Sequence, residues 1–350
     1  MDKNLFYNGN KLINQKDING NTPEIFAVDG NRSDGKTTFF ARKMVRDFIE
    51  KDKKFMIIKR YKYQIYKTHQ VFFALVGPHW FSKYEMTAEK GQDGMFMNLY
   101  LNDKHCGYVC DLNSADKLKE YSQFYCDTSN MFMDEFQARE YVPNEVEKFA
   151  TLHASAARGF GTPTRYLPVY MMCNHVSSLN PYYKLWKCGA QVDGMIKGFY
   201  KGDGFVIERD FNERVAELQR QSAFNSAFSG TSIVDHIVNN RSFIDNFSFV
   251  EKLKTSKFDY ICNIIVDGEY ISLVRPSDIN GVHYYFSDSV NKNCRTNFTI
   301  FSNDHGTDTL LLSRNIDFLN SIRNQFDHGY MRFSSLEVKE KAFAFMSIML

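Results

Sequence analysis

The chain has 350 residues, and its 43% hydrophobic content, with 15% aromatic residues, is enough for the apolar cores of two domains. The formal net charge of +2 does not by itself indicate a nucleic-acid partner, and the 7 scattered cysteines, without a CxxC pair, predict neither a disulfide framework nor a zinc site. No apolar run approaches the roughly 20 residues that cross a bilayer, and the N-terminus lacks a basic segment followed by an apolar one. We therefore expect a cytoplasmic protein with no membrane partner.

The first strand predicted along the chain, at 25–28, runs into a phosphate-binding loop. Residues 30–37 read GNRSDGKT, a full match to GxxxxGK[ST], and the spacing of Phe40, Met44 and Phe48 predicts a helix after it. Such a loop presents backbone N–H groups and a helix N-terminus to a polyphosphate. We predict that Lys36 reaches the β- and γ-phosphates and that the Thr37 hydroxyl holds Mg²⁺. The predicted nucleotide-contacting residues of the loop are Gly30, Asn31, Arg32, Ser33, Asp34, Gly35, Lys36, Thr37 and Thr38.

A basic segment surrounds the second predicted strand, at 55–58. Between positions 51 and 67 the chain carries seven Lys or Arg residues, three interleaved tyrosines and a single acid, Asp52. Cations beside aromatic faces suit a groove that follows a nucleic-acid strand, whereas a solvated basic edge is the commoner outcome. The sequence leaves both interpretations open.

Polar residues follow two later apolar runs, 131–133 and 169–173, which read as central strands of one parallel sheet. Ligands of such sheets lie at the carboxyl ends of the strands. Asp134 is predicted to hold Mg²⁺, and Glu135, which strand alternation would point the other way, is predicted to polarise the attacking water. Asn174 is either a sensor of the γ-phosphate or a turn residue at the end of its strand.

Hydrolysis of a phosphoanhydride also needs a cation at the transition state, and two arginines are candidates. Arg32 lies in the phosphate loop and could act within its own chain. Arg158 follows a helical stretch at 144–157 and precedes Gly-Phe-Gly, so it could reach into a neighbouring subunit. The alternative role for Arg158 is to satisfy the carbonyl groups at the end of its own helix.

The sequence pattern predicts three successive regions, with the first boundary after position 208. Residues 1–208 read as an ATPase domain, and 209–245 read as a linker or a small lid. Residues 246–350 predict a small α+β domain with a hairpin at 260–266 and 269–274, a third strand at 282–286, and helices near 309–326 and 336–350.

Together these segments resemble the genome-packaging ATPases of small tailed phages, in the phi-29-like branch that is related to terminase large subunits. The resemblance covers most of the chain. It implies an α/β fold: a P-loop NTPase domain of the ASCE type with a parallel sheet, and a small RNase H-like C-terminal domain that lacks the nuclease residues. It rests on residues 1–3 and 5–8, GNRSDGKT at 30–37, KRYK at 59–62, DEF at 134–136, VPNEV at 142–146, CN at 173–174 and NPY at 180–182.

The resemblance also implies roles for single residues and partners. An arginine after the PNEV helix acts in trans in that family, and Arg158 matches its position; a lysine at the subunit interface has its nearest match in Lys119, with Lys117 beside it. The implied function is an ATP- and Mg²⁺-dependent motor that moves double-stranded DNA into a procapsid. Its subunits would form a homo-oligomeric ring, a pentamer as in the family, in the host cytoplasm. The C-terminal domain would dock to a portal (connector), a packaging RNA or DNA.

Two other functions remain open: a helicase-like, nucleic-acid-dependent ATPase, and a nucleotide-switch protein that hydrolyses slowly. Glu135 favours turnover over switching, and the absence of recognisable strand-separating motifs argues against a helicase. A two-metal nuclease needs clustered acids around metals about 4 Å apart. Asp267 and Glu269 instead flank a hairpin glycine, so nuclease activity is not expected, although Asp259, Asp278 and Asp288 leave the question open.

Overall fold

The computed structural model describes residues 6–158, 163–231, 234, 238, 245–255, 257–291, 296–311 and 316–346. Contacts divide the chain into two compact units, Met1–Ile244 and Asp245–Leu350. Residues 1–3 and 5, the glycines after Arg158 and the end of the last predicted helix lie outside the described residues. In the part that is described, no helix is long and apolar enough to span a membrane.

The first unit contains a nine-stranded sheet. Its strands are β1 (Ile25–Gly30), β2 (Phe55–Lys59), β3 (Met86–Gly91), β4 (Phe96–Leu101), β5 (Lys104–Asp111), β6 (Asn130–Asp134), β7 (Val169–Cys173), β8 (Gly198–Lys201) and β9 (Phe205–Asp210). They lie in the order β3-β4-β5-β2-β6-β7-β1-β9-β8. The six central strands in this order, β5, β2, β6, β7, β1 and β9, are parallel to one another. At one edge the antiparallel strands β3 and β4 complete the sheet, and at the other edge the antiparallel strand β8 does. The predicted α/β fold with a parallel sheet is confirmed.

Helices cover both faces of this sheet, as a parallel sheet requires. Strand alternation sends Phe26 and Val28 of β1 to a core with the apolar face of α2, and Ala27 to the opposite core with α7 and α8. The helices of this unit are α1 (Asn10–Ile13), α2 (Lys36–Lys51), α3 (Lys62–Ile65), α4 (Thr68–Ala74), α5 (Gly77–Trp80), α6 (Ala115–Leu118), α7 (Glu145–Ala156), α8 (Pro181–Leu185), α9 (Gly189–Asp193), α10 (Glu213–Arg220) and α11 (Ala223–Ala227).

The second unit has a six-stranded mixed sheet and two described helices, α12 (Ile316–Asp327) and α13 (Leu336–Met346). The strands are β10 (Phe258–Val266), β11 (Glu269–Pro276), β12 (Tyr284–Ser287), β13 (Asn297–Thr299), β14 (Thr309–Leu311) and β15 (Met331–Phe333), in the order β14-β13-β10-β11-β12-β15. The first three strands are antiparallel, while β13 and β14 run parallel to β10. This mixed sheet with its two helices is the small α+β domain that the sequence predicts for this part of the chain.

Two predicted boundaries differ from the structure. The sheet of the first unit includes positions 209 and 210, because β9 continues two residues past the predicted end of the ATPase domain. The segment 309–326 is predicted to be a single helix. In the structure it starts with strand β14, which pairs with β13, and its helix α12 begins at Ile316. A three-residue strand such as β14 is too short to show a periodic pattern in the sequence, so that its pairing with a neighbouring strand determines its structure.

The two acids that flank the hairpin glycine of the second unit occupy a turn and an ion pair. Asp267 has a left-handed φ of 51° at the β10–β11 turn, and Glu269 forms an ion pair with Lys341. Among the described residues, no group of three or more His, Cys, Asp or Glu side chains could hold a metal ion.

Candidate nucleotide-binding site

The phosphate loop joins β1 to α2, and two left-handed residues shape its backbone. Ser33 has a φ of 63° and Gly35 a φ of 94°, a conformation that gathers backbone N–H groups into an anion-binding concavity. Gly30 is required by packing, because a Cβ atom there would lie 2.7 Å from the carbonyl oxygen of Asp210. The loop therefore has the geometry of a phosphate cradle.

Lys36 is held inside this loop by an acidic neighbour. Its Nζ donates to the Asn31 carbonyl oxygen at 2.5 Å and to the two carboxylate oxygens of Asp34 at 3.0 and 3.1 Å. Asp34 Oδ1 also accepts the Lys36 backbone N–H at 3.1 Å. Burial raises the pKa of Asp34, although the charge of Lys36 opposes this. Asp34 thus engages the ammonium group that a bound phosphate would need.

We expect Asp34→Asn to bind nucleotide more tightly than the wild type. The amide keeps an oxygen acceptor for the Lys36 N–H but removes a negative charge from the phosphate cradle. An interaction change of about 1 kcal/mol would lower the Kd about fivefold. Isothermal titration with Mg²⁺ and a non-hydrolysable ATP analogue measures this change. Asp52→Asn, which removes an exposed carboxylate just after α2 that pairs with Lys104, is the control. Weaker binding by Asp34→Asn would mean that the carboxylate is needed to organise the loop.

The two predicted metal ligands are in direct contact. Thr37, in the first turn of α2, donates its hydroxyl to Asp134 Oδ1, at the end of β6, at 3.0 Å. Burial raises the pKa of Asp134, while Lys59 lowers it, Glu135 raises it and the hydroxyl of Thr37 lowers it. A partly buried carboxylate beside a hydroxyl provides the hard oxygen ligands that Mg²⁺ prefers, and a cation would offset the cost of its burial. The residues present fit this metal.

Glu135 is exposed, and its position does not come from strand alternation. Strand β6 ends at Asp134, and Glu135 has a left-handed φ of 59°. The predicted reason for its orientation is therefore wrong, because a turn rather than the pleat sets it. Arg60 clamps this turn: its Nη1 donates to the Glu135 carbonyl at 2.7 Å and its Nη2 to the Phe136 carbonyl at 2.8 Å, while Glu145 binds the same guanidinium through two contacts of 2.9 Å.

Asn174 follows β7, which lies between β6 and β1 in the sheet. Cys173 pairs with Asp29 of β1, and Met172 pairs with Asp134 of β6. The register therefore places Asn174 beside Gly30, between the phosphate loop and the predicted metal ligands. Its side chain is partly buried.

The arginine candidates occupy different places. Arg32 is exposed; its carbonyl accepts a hydrogen bond from Gln219 at 3.0 Å, and no described residue forms a hydrogen bond or ion pair with its guanidinium. Arg158 is exposed with its Nη1 3.4 Å from Ser122 Oγ, on the 3₁₀ helix Lys119–Phe124 that packs against α7. Arg158 and Lys119 thus lie on neighbouring parts of one surface.

The capping role considered for Arg158 belongs instead to Arg165. Its Nη2 donates to the carbonyl of Ala156, the last residue of α7, at 2.8 Å, and to the carbonyl of Cys126 at 2.7 Å. Sequence reasoning missed this residue, because Arg165 lies nine positions beyond the carbonyl that it binds.

The basic segment does not form one continuous groove. Arg60 is largely buried against Glu145, and Lys54 pairs with Asp127 at 2.6 Å. Exposed aromatic surface remains at α3, where Tyr63 is 73% exposed and stacks on Tyr61. Lys59 and Lys67 line a cavity of about 200 Å³ that Thr37 and Asp134 also line.

A larger cavity of about 720 Å³ opens on another side of the loop and was not predicted. The Arg42 guanidinium lies 4.9 Å from the centre of the Trp80 ring in its wall. Aromatic and basic side chains dominate the lining, and none of the described residues contributes a carboxylate to it. The residues that line it beside the phosphate loop include Phe6, Tyr7, Ser33, Gly35, Thr38, Phe39, Arg42, Arg46, His79 and Trp80.

A family model of the podovirus DNA encapsidation protein (Gp16) matches residues 1–349 of the chain. The chain belongs to this family. It is therefore an ATPase of phage DNA packaging. The DNA packaging protein of Bacillus phage B103 is 24% identical to this chain over 236 residues, which are 66% of this chain and 68% of that protein.

Solved structures of packaging motors share the fold. A chain of the bacteriophage phi-29 viral genome packaging motor assembly matches with a TM-score of 0.70 at 20% identity, over 99% of this chain and 100% of that one. The phi-28 gp11 DNA packaging motor matches with a TM-score of 0.57 at 15% identity, over 98% of each chain. The chain therefore shares its fold with these motor chains.

Proposed function

We propose that this packaging ATPase binds ATP with Mg²⁺ between the phosphate loop and the ends of β6 and β7, and that it moves double-stranded DNA into a procapsid. The contact between Thr37 and Asp134 carries the proposal, because it joins the loop to the predicted metal ligand of the neighbouring motif. Mg²⁺ would supply charge neutralisation of the phosphates there.

The roles of the remaining residues follow from their positions. Lys36 exchanges its contacts with Asp34 and the Asn31 carbonyl for phosphate oxygens. Glu135 accepts a proton from the attacking water or orients it, and Asn174 contacts the γ-phosphate. The aromatic cavity beside Thr38 takes the nucleoside, since flat rings and cations suit a base and its sugar phosphate.

The transition-state cation comes from a neighbouring subunit in this proposal. Arg158 and Lys119 form part of the surface that faces the next site in a ring, and a head-to-tail ring supplies such a contact to every site. Arg32 acting within its own chain is the alternative. Helices α10 and α11, within the predicted linker 209–245, act as a lid, since Asn212 exchanges hydrogen bonds with Asn31 at 2.8 and 3.2 Å and Gln219 bonds Arg32.

The partners are those of a phage packaging motor. We propose a homo-oligomeric ring, a pentamer, attached to the portal of the procapsid in the host cytoplasm, with double-stranded DNA as its cargo. The second unit, 246–350, would dock to the portal, to a packaging RNA or to DNA. The phi-29 motor assembly, which has the same fold, supports an assembly of this kind.

The function is tested by ATPase assays with purified procapsids and linear duplex DNA. We expect the rate to rise when both are added, and full-length DNA to become protected from nuclease. Lys36→Ala serves as the inactive control. Stimulation by single-stranded DNA with strand separation would favour a helicase-like ATPase, and a slow rate unaffected by either addition would favour a nucleotide switch.

A further inference from the structure

A buried carboxylate lies directly beneath the phosphate loop. Asp29 is the last residue before Gly30 and has no exposed surface. Its Oδ1 accepts a hydrogen bond from Arg209 of β9 at 2.7 Å, and its Oδ2 accepts from Gln137 and from Tyr183, each at 3.0 Å. The same Oδ2 lies 2.6 Å from His175 Nδ1. We call Asp29 and these four partners the Asp29 cluster.

The Asp29 cluster is electrically balanced once Asp193, which contacts His175, is counted with it. Burial opposes ionisation of Asp29, but Arg209 and His175 lower its pKa well below the usual range. Burial lowers the pKa of His175, while Asp29 and Asp193 together raise it to about 9. The second ring nitrogen of His175, Nε2, lies 3.1 Å from Oδ1 of Asp193 on α9. Two carboxylates therefore face two cations, an arrangement that makes a buried polar network rigid.

Members of the cluster are sequence neighbours of the residues proposed for hydrolysis. Asp29 precedes the phosphate loop, His175 directly follows Asn174, and Gln137 lies two positions after Glu135. A displacement of any one of them would be transmitted to its neighbour over one or two peptide units.

Gln137 connects these segments with both ends of its amide. Its Nε2 donates to Asp29, while its Oε1 accepts the backbone N–H groups of Val176 at 2.9 Å and Ser177 at 3.2 Å. The side chain is 3% exposed. One amide thus joins the turn after Glu135, the loop after Asn174 and the strand that enters the phosphate loop.

We propose that Gln137, anchored on Asp29, is a positioning residue that holds Glu135 and Asn174 in register with the bound triphosphate. This inference rests on the proposed roles of Glu135 and Asn174 in hydrolysis. Gln137 is buried and its amide is bonded to Asp29, Val176 and Ser177, so we expect its effect to be on the geometry of turnover and not on affinity.

The test is Gln137→Met, which keeps the length of the side chain and removes every hydrogen bond. We expect kcat of the ATPase to fall about 10- to 100-fold, as small misplacements of reacting groups do, with nucleotide Kd changed less than about threefold. The matched control is Thr128→Val. Thr128 is also buried and donates to the Tyr125 carbonyl at 2.8 Å. It precedes β6 and therefore lies at the amino ends of the parallel strands, whereas the site lies at their carboxyl ends.

Both variants are assayed at a temperature where thermal melts show them folded. Gln137→Asn is a second variant that keeps an uncharged amide on a side chain one methylene shorter, so that it cannot bond Asp29 and the N–H groups of Val176 and Ser177 at once; we expect its kcat to lie between those of Gln137→Met and the wild type. The proposal is overturned if the kcat of Gln137→Met equals that of Thr128→Val. It is also overturned if Gln137→Met weakens nucleotide binding while its kcat stays at the wild-type value. If Gln137→Met does not fold, wild-type turnover by Gln137→Asn overturns it. A wild type without ATPase activity would instead contradict the proposed function.

Discussion

Lys36→Ala is expected to weaken ATP binding about 100-fold, because a charged hydrogen-bond donor to phosphate contributes up to about 3 kcal/mol. Glu135→Gln is expected to keep ATP bound and to lose turnover about 10²- to 10⁴-fold, since it removes only the group that activates water. Binding is measured by titration with Mg²⁺ and ATP, and turnover by phosphate release.

The structure suggests a control for the first variant. Lys36→Ala leaves the buried carboxylate of Asp34 without its ion pair, which adds instability to the loss of a phosphate contact. The double variant Lys36→Ala/Asp34→Asn removes that charge as well, so weak binding that persists in it is due to the missing ammonium group. Equal loss of binding in Lys36→Ala and Glu135→Gln would contradict the two assigned roles.

Mixed rings of Arg158→Ala and Lys36→Ala subunits are expected to regain ATPase activity that neither protein has alone. The first keeps an intact phosphate loop, and the second keeps a usable arginine, so some interfaces in a mixed ring contain both parts. An arginine supplied in trans is worth about 10³- to 10⁵-fold in rate, so even a small fraction of such interfaces is measurable.

The activity of the mixture is compared with the sum of the separate preparations, and co-assembly is checked with differently tagged subunits. A mixture of Arg158→Ala with Glu135→Gln subunits should recover in the same way, because the defects again lie on opposite sides of an interface. Co-assembled rings without recovery would exclude Arg158 as a trans residue and make Arg32 the better candidate.

The local parts of this site could be predicted from the sequence, and its long-range contacts could not. The loop GNRSDGKT, the helix after it and the acids that end β6 follow from short patterns, since each depends on neighbours within a few residues. Arg60 and Glu145 are 85 positions apart, and Asp29 lies 108 positions from Gln137 and 180 from Arg209. No periodic pattern encodes pairs so far apart.

Two features of the site differ from the sequence-based expectation for different reasons. Glu135 was placed by alternation, yet the strand ends one residue earlier in a left-handed turn that Arg60 holds. The aromatic cavity was missed because Phe6, Arg42 and Trp80 belong to separate elements that only the packing of α2 and α5 against the N-terminal segment brings together.

The outer strands of the nine-stranded sheet constrain how subunits can join. Strand β3, at one edge, exposes Thr87, Glu89 and Lys90, and charged edges of this kind oppose pairing with a strand of another chain. In the proposed ring, β3 would therefore meet a neighbouring subunit through side chains and not through a shared backbone ladder. A contact of this kind can loosen and tighten without breaking backbone hydrogen bonds.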